Sequence, residues 1–337
     1  MKKQQSDSFK CTICPHECTL KSGQVGICGA RKASKDGIYL EGYSRVSTMA
    51  IEPIEKKPFY HFFPGSKILS VGGYGCNLFC GYCQNICISR KQNADGCKYF
   101  SPSAIVNMAI AKGCIGVCMT YTEPIPYYEF LIDLANKCKK QHIKFMISTN
   151  AYVEESPWFD ILEATDALNI DWKGGSSQYY NYCGANKAKD VTVKERIEQA
   201  FHKGKHVEIS VPVYKYSTPG NFVDLLQLNL TKGEKYQDQV DVPVHVLKII
   251  PTDENLSEAS SDEAVFDVAE FLKAGFNYVY VHNIFNDRAR DFRKTVCPDC
   301  NSVIATREAL KAEIKLNYKC DKCKSIFVYE SNRRKRI

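Results

Sequence analysis

Between Lys67 and about Asn283, short apolar or β-branched runs recur at intervals of roughly 25 to 40 residues, separated by stretches whose apolar side chains return at helical spacing. Six of these runs read as strands: ILSVGG (68–73), GVCMTYT (116–122), KFMIST (144–149), ALNID (167–171), HVEISVPV (206–213) and VHVLKII (244–250). A further run, YVYVHN (278–283), either extends the same sheet or leads out of it. Helices are expected over 102–111 behind a Ser101 cap, 126–140, 193–202 behind a Thr192 cap, and 260–274 with Gly275 as the stop. Repeated strand–helix units of this kind build an α/β fold around a parallel sheet, and such sheets place ligands at the carboxyl ends of their strands. Polar groups gather at that rim: GYGCNLFCGYCQN follows the first strand, Glu123-Pro124 the second, Thr149-Asn150 the third, and Asp171 with Lys173 the fourth.

A chain of 337 residues is long for one ordinary domain but within the range of a (β/α) barrel carrying appendages. Its 44% apolar and 25% charged content excludes the disordered and fibrous classes. The opening MKKQQSDSFK has basic residues with no apolar run behind them, and no stretch approaches a membrane span, so a soluble, cytoplasmic protein without membrane contact is expected.

Seventeen cysteines change the picture, because a cytosolic chain keeps thiols reduced and uses clusters of them as metal ligands. Cys297, Cys300, Cys320 and Cys323, spaced C-x2-C-x19-C-x2-C, match a zinc ribbon in which each knuckle offers two sulfurs to one tetrahedral ion. Cys11, Cys14, Cys18 and Cys28 form a less regular set whose spacing fits either zinc or an auxiliary iron–sulfur cluster, with His16 beside the site or at the surface rather than a ligand. Six other cysteines are scattered; Cys87, four residues beyond Cys83, is expected to be a buried, inert thiol. The formal charge of +7 falls to roughly +2 once the thiolates of two four-cysteine zinc sites and one three-cysteine cubane are counted. A nucleic-acid partner is therefore not expected, and the run Arg333, Arg334, Lys335, Arg336 reads as a solvated terminus.

Cys76, Cys80 and Cys83 stand apart because they are three, and three protein ligands leave one corner of a metal centre open. Together with Tyr82 they form C-x3-C-x-aromatic-C, which resembles the signature of the radical S-adenosylmethionine (SAM) superfamily. The stretches CPHECTLKSGQVGICGAR, IEPIEKKPFYHFFPGSKILSVGG, TYTEP, STNAY, NIDWK, PVHVLKIIP and the CPDC/CDKC end extend the resemblance over nearly the whole chain. The branch they resemble is the AmmeMemoRadiSam system radical SAM enzymes, relatives of pyruvate formate-lyase activating enzymes.

The resemblance implies a partial (β/α)6 radical SAM barrel at 63–290, a Cys-rich N-terminal appendage at 1–62, a zinc-ribbon-like module at 291–330 and a basic tail at 331–337. In that superfamily three cysteines hold a [4Fe-4S] cluster, SAM chelates the fourth iron, and reductive cleavage yields a 5′-deoxyadenosyl radical. It assigns Cys76, Cys80 and Cys83 to the cluster, Tyr82 to the adenine, Glu123 to the SAM ammonium, Asp171 and Lys173 to the methionyl carboxylate, and Asn150 to the ribose or carboxylate side. The implied partners are an electron donor such as flavodoxin or ferredoxin, a small-molecule or peptide substrate, and Memo-like and Amme-like proteins. Activation of a glycyl-radical partner protein is the alternative; a non-catalytic iron–sulfur and zinc protein is the rival from another class. Two departures bear on the site: Ser148 and Ala151 stand where the activating enzymes carry an acidic residue and a glycine, and VPVYKYSTPGN adds Tyr214, Lys215 and Tyr216 to the wall after the fifth strand.

Overall fold

The central sheet has eight strands: β1 (Thr48–Pro53), β2 (Lys67–Gly72), β3 (Gly116–Met119), β4 (Lys144–Thr149), β5 (Ala167–Asp171), β6 (His206–Val213), β7 (Val244–Lys248) and β8 (Val279–His282). The computed structural model in which they are seen describes residues 8–175, 182–185, 193–230, 241–250, 252, 258–308, 311–314, 320 and 322–323. The expected Thr192 cap and the basic tail lie outside those residues.

Strands β2 to β8 are all parallel and lie side by side in chain order. The expected count of six parallel strands is therefore corrected to seven, because YVYVHN supplies β8 beside β7 with Val244 opposite Val279. The eighth strand, β1, pairs antiparallel with β2, from Thr48 opposite Gly72 to Pro53 opposite Lys67. Sequence reading passes over β1 because TMAIEP has only a short apolar run, ends in proline and leaves Ile51 exposed, as suits an edge strand.

Helices α1 (Pro102–Ala111), α2 (Tyr128–Lys140), α3 (Glu155–Ala164), α4 (Val193–His202) and α5 (Asp262–Leu272) connect the strands. Ser101 Oγ accepts from Ala104 N and Ser261 Oγ from Ala264 N, so both N-terminal caps are made by side chains. The expected helix from residue 126 begins as a 3-10 turn at Ile125–Tyr127 before α2. Helix α3 is not anticipated, since YVEESPWF mixes acidic residues with proline at its start; its buried face of Trp158, Ile161 and Leu162 forms only against the sheet.

At the amino-terminal end of β6 the interior is polar. Glu208 accepts from the backbone N–H groups of Tyr60 and His61 at 2.8 Å each, and lies 2.8 Å from His206 Nε2 and 2.7 Å from His245 Nε2. His245 Nδ1 in turn lies 2.9 Å from His282 Nε2, and His61 Nε2 lies 2.6 Å from the Tyr280 hydroxyl. The segment before β2 thus plugs one end of the curved sheet through backbone bonds to a single carboxylate, leaving the other end open.

Both cysteine-rich ends dock on this core. The Arg31 guanidinium makes two 2.7 Å bonds to Glu129 on α2, and His16 Nε2 lies 2.6 Å from Asn77 O. After β8, Thr295–Val296, Val303–Glu308 and Lys311–Ile314 form a three-stranded antiparallel sheet. Arg307 on it donates to Tyr60 O at 2.9 Å and to Thr295 Oγ1 at 2.8 Å, its guanidinium 4.0 Å from the Tyr60 ring centroid. Among the described residues no helix is long and apolar enough to cross a membrane.

Candidate functional site

The loop after β2 carries the three cysteines and is held in shape by its own backbone. Gly75 has φ +73°, and a Cβ there would run into the carbonyl oxygen of Cys28, so only glycine allows the N-terminal appendage to pack against the loop. Arg90 donates to the carbonyls of Leu78 and Cys80, both at 3.0 Å. Asn85 Nδ2 donates to Tyr121 O at 2.8 Å and ties the loop to the end of β3. Cys83 Sγ lies 3.4 Å from Ser89 Oγ.

Cys76, Cys80 and Cys83 open onto one cleft of about 270 Å³ at the carboxyl ends of the strands, and Tyr82, Glu123, Asn150, Asp171 and Lys173 line the same cleft. Every residue expected at the SAM site is therefore brought to one concavity from four different strand ends. Cys87 is corrected: it is exposed, on a single helical turn (Ile86–Ser89) that buries Ser89 instead. Tyr74 and His245 are packed away from the cleft, whereas Gln84, Asn85 and Tyr121 line it.

The electrostatics follow from burial. Glu123 is buried, which pushes its carboxyl up to about 7 even though Asn150 N (2.7 Å), Thr149 Oγ1 (2.6 Å) and Ile125 N (3.1 Å) donate to it. Burial likewise raises the Cys76 thiol. Cys80 moves the other way, held below the usual thiol range chiefly by a hydrogen bond from the Cys183 thiol, with the Lys173 ammonium assisting. Lys173 Nζ donates to Asp171 Oδ2 at 3.1 Å, so the expected pair exists and faces the cleft.

Asn150 works on the scaffold: its Nδ2 donates to Asn77 Oδ1 at 2.9 Å and its Oδ1 accepts from Tyr152 N at 2.9 Å. It thereby couples the end of β4 to the cysteine loop. The next residue, Ala151, has φ +50°, a left-handed conformation that costs a side-chain-bearing residue about 1–2 kcal/mol. An Ala151→Gly protein is expected to gain stability, by about 0.5–1 kcal/mol after glycine's own entropy of about 0.5–1 kcal/mol is subtracted. Urea unfolding of the two proteins measures it; a loss of stability would mean that the alanine methyl packs more favourably than the backbone is strained.

Tyr82 is packed in a stack of near-parallel rings, 5.0 Å from Tyr214 and 5.8 Å from Tyr182, with Tyr182 and Tyr214 4.4 Å apart. Tyr216, from the same added wall, is 60% exposed. Sequence reading misses Cys183, whose carbonyl accepts from Phe79 N at 2.7 Å and whose sulfur lies 3.7 Å from the Tyr82 hydroxyl. It also misses the far wall of the cleft, where Lys57, Asn169, Ser210 and Asn283 face inward. Lys57 Nζ lies 2.8 Å from Glu52 Oε2 and 4.0 Å from the Tyr121 ring centroid. Lys57 sits in a connecting segment whose course is set by Glu208, so nothing local in the sequence marks it.

The donor set fits the groups its cysteine motif implies: three thiols without a fourth at the same rhythm, carboxylates for an ammonium and a lysine for a carboxylate, all on one cleft. At the C-terminal end, Cys297, Cys300, Cys320 and Cys323 have sulfurs within 4.8 Å of one another, a group able to hold a metal ion.

Comparison with known proteins bears on this arrangement. The family described as the Radical SAM superfamily matches residues 70–228. The uncharacterized protein MJ0808 of Methanocaldococcus jannaschii is 32% identical over 335 residues, covering 96% of this chain and 95% of its own length. Among solved structures, SuiB of Streptococcus suis bound to S-adenosylmethionine is 16% identical with a TM-score of 0.45, covering 64% of this chain and 50% of its own, so this chain spans half the length of that protein. A domain of pyruvate-formate lyase-activating enzyme from Bacteroides vulgatus is 15% identical with a TM-score of 0.37, covering 50% of this chain and 98% of that domain.

Proposed function

The chain belongs to the Radical SAM superfamily, and from that premise we propose that it abstracts a hydrogen atom from a small-molecule or peptide substrate bound beside SAM. Membership makes it an enzyme and implies a [4Fe-4S] cluster and SAM as its cofactors. The single observation that carries the proposal is the shared cleft, where the three cysteines and the four polar rim residues meet and whose far wall is lined by Lys57, Asn169, Ser210 and Asn283. When bound, the cluster and SAM supply an electron and the hydrogen-abstracting radical.

Residue roles follow from the donors and acceptors each side chain has left. A carboxylate offers about four lone-pair sites, and Glu123 spends three on Ile125, Thr149 and Asn150, leaving one for the SAM ammonium. Lys173 Nζ, bonded to Asp171 Oδ2 on the cleft, is the proposed donor to the methionyl carboxylate. Asn150 fixes Asn77 and with it the spacing of Cys76 and Cys80. Tyr82, stacked on Tyr214, presents a rigid ring to the adenine. Cys76, Cys80 and Cys83 are the proposed cluster ligands, zinc is proposed at Cys297, Cys300, Cys320 and Cys323, and a metal, zinc or iron–sulfur, at Cys11, Cys14, Cys18 and Cys28.

Anaerobically reconstituted protein given dithionite and SAM is expected to release 5′-deoxyadenosine, which chromatography detects; none above the protein-free control sinks the proposal. A low-potential carrier such as flavodoxin or ferredoxin is proposed as the cellular reductant, cytoplasm as the location, and Memo-like and Amme-like proteins as partners.

Glu123 makes the binding of SAM depend on pH. Its carboxyl titrates at about 7 in the free protein because burial penalises the charge, and an ammonium ligand favours the ionised form. Affinity for SAM is therefore expected to rise by about tenfold per pH unit below 7 and to level off above it. The sign for stability is opposite: with the folded value raised, this carboxyl favours the ligand-free fold at acid pH and loses that contribution as pH rises through about 7. Equilibrium dialysis from pH 5.5 to 8.5 tests the first statement, and a flat profile shared with Glu123→Gln would remove Glu123 from the ammonium site.

A further inference from the structure

The charges on the cleft do not balance once the groups assigned to SAM are set aside. With Glu123 given to the ammonium and Asp171 and Lys173 to the methionyl carboxylate, the charged side chains left on the lining are Lys56 and Lys57, among the described residues. Both turn to one carboxylate, Glu52 on β1. Lys57 Nζ lies 2.8 Å from Glu52 Oε2, Lys56 pairs with the other oxygen, and the Tyr121 hydroxyl donates to Oε2 at 2.8 Å. Glu55, the nearest acid along the chain, takes the Gly65 N–H instead. Glu52 is buried off the cleft, whereas Lys56, Lys57 and Tyr121 line it. Two ammonium groups thus share one carboxylate, and the wall they form carries a net positive charge.

A second observation is that this wall is fixed before any ligand arrives. Asn169 Nδ2 donates to Pro58 O at 2.8 Å, and Glu208 takes the N–H groups of Tyr60 and His61, so the segment carrying the lysines is tied down just beyond them. The Lys57 side chain is only 8% exposed, and its Nζ lies 4.0 Å from the Tyr121 ring centroid. Burial pulls its ammonium down while Glu52 holds it up. Such a buried pair contributes little to stability that an apolar pair of similar volume would not, so a charged side chain held on a cleft wall points to a ligand. Pro212, Leu247 and Ile249 give the same cleft an apolar portion.

We propose that the substrate bears an oxyanion, a carboxylate or a phosphate, and that Lys56 and Lys57 bind it at the far wall of the cleft. The inference rests on the hydrogen-abstraction reading for calling this ligand the substrate, and it adds which chemical group is recognised. Lysine ammonium groups hold such oxyanions through charge-assisted hydrogen bonds. Anchoring one end of the substrate on a rigid wall orients the rest of it at every encounter. The two lysines determine specificity and take no part in bond making.

The test uses the full chain, anaerobically reconstituted and given SAM, with inorganic phosphate and succinate as probes in equilibrium dialysis at low salt. Saturable binding of at least one probe is expected. Lys56→Gln and Lys57→Met together are expected to weaken it at least about tenfold, or about 1.4 kcal/mol, with SAM affinity unchanged. Tighter binding of phosphate than of succinate identifies a phosphate, and the reverse order a carboxylate. Should the double variant fail to fold, Lys56→Gln alone, at a side chain 49% exposed, is expected to weaken binding about threefold. No saturable uptake, or uptake that neither variant changes, overturns the proposal. So does a SAM affinity that falls in step with probe affinity, because the lysines would then hold the methionyl carboxylate. Lysine-dependent probe binding by a wild type that releases no 5′-deoxyadenosine would sink the hydrogen-abstraction reading and leave the oxyanion site standing.

Discussion

Cys80→Ala protein is expected to release no 5′-deoxyadenosine above background, a loss of at least roughly 1,000-fold or about 4 kcal/mol in barrier terms. The cause is geometric. Cys80 is the middle member of the triad; its sulfur is approached by the Cys183 thiol and its carbonyl is gripped by Arg90. With an alanine there two thiolates remain, too few to keep a cubane with one open iron. The sample should also lose the iron that the triad holds in wild type. Chromatography of the SAM reaction and iron counts on the same sample check both statements. Activity retained within tenfold of wild type would mean that Cys183 or another group takes over as ligand, or that the cluster is held elsewhere.

The second large effect lies away from the cleft. Glu208→Ala is expected to cost about 3–5 kcal/mol of stability, the range for removing one partner of a buried charged network. Four donors lose their acceptor at once: the backbone N–H groups of Tyr60 and His61 and the side chains of His206 and His245. None reaches water, so each retains its desolvation cost without a bond. The plugging segment would detach, and with it Lys57, so substrate-wall binding should weaken alongside stability. Urea unfolding gives the magnitude; a loss under about 1 kcal/mol would show that the network is not what seats the segment.

The same network sets the acid limit. Its histidine bonds and charges hold Glu208 well below the usual carboxylate range, while burial holds His61 down to about 3 and lowers His245 and His282. All four folded values are depressed, so their contributions are present above the unfolded values, near 4.5 for the carboxyl and 6.5 for the imidazoles, and are lost as pH falls. Stability should decline from about pH 6.5 downward; in Glu208→Ala the part lost below about 4.5 should be missing, while the imidazole part persists because Glu208 only raises those values.

Much of the site is legible along the chain because its chemistry is carried by short, covalently spaced groups. The spacing of Cys76, Cys80 and Cys83 limits where the three sulfurs can go, and the strands before Glu123, Asn150 and Asp171 deliver each to the same end of a parallel sheet. The CPDC and CDKC knuckles bring their sulfurs together for the same reason. The strands themselves follow from apolar runs, so six of the eight are read outright and β8 is left open between extending the sheet and leaving it; β1 escapes because an edge strand needs little apolar side chain to be held.

What the sequence determined by itself, then, is the three-cysteine loop, the polar rim and the spacing of the CPDC and CDKC knuckles, each set by local covalent geometry and strand polarity. Only the tertiary structure decided that Cys183 sits against Cys80, that Lys57 forms part of the cleft wall, that Tyr82 is stacked on Tyr214, and that the N-terminal cysteines enclose a hollow. These are contacts between segments far apart in the chain. Their partners are chosen by how the sheet curves and by where one buried carboxylate anchors a connecting segment, and no periodicity or motif encodes either.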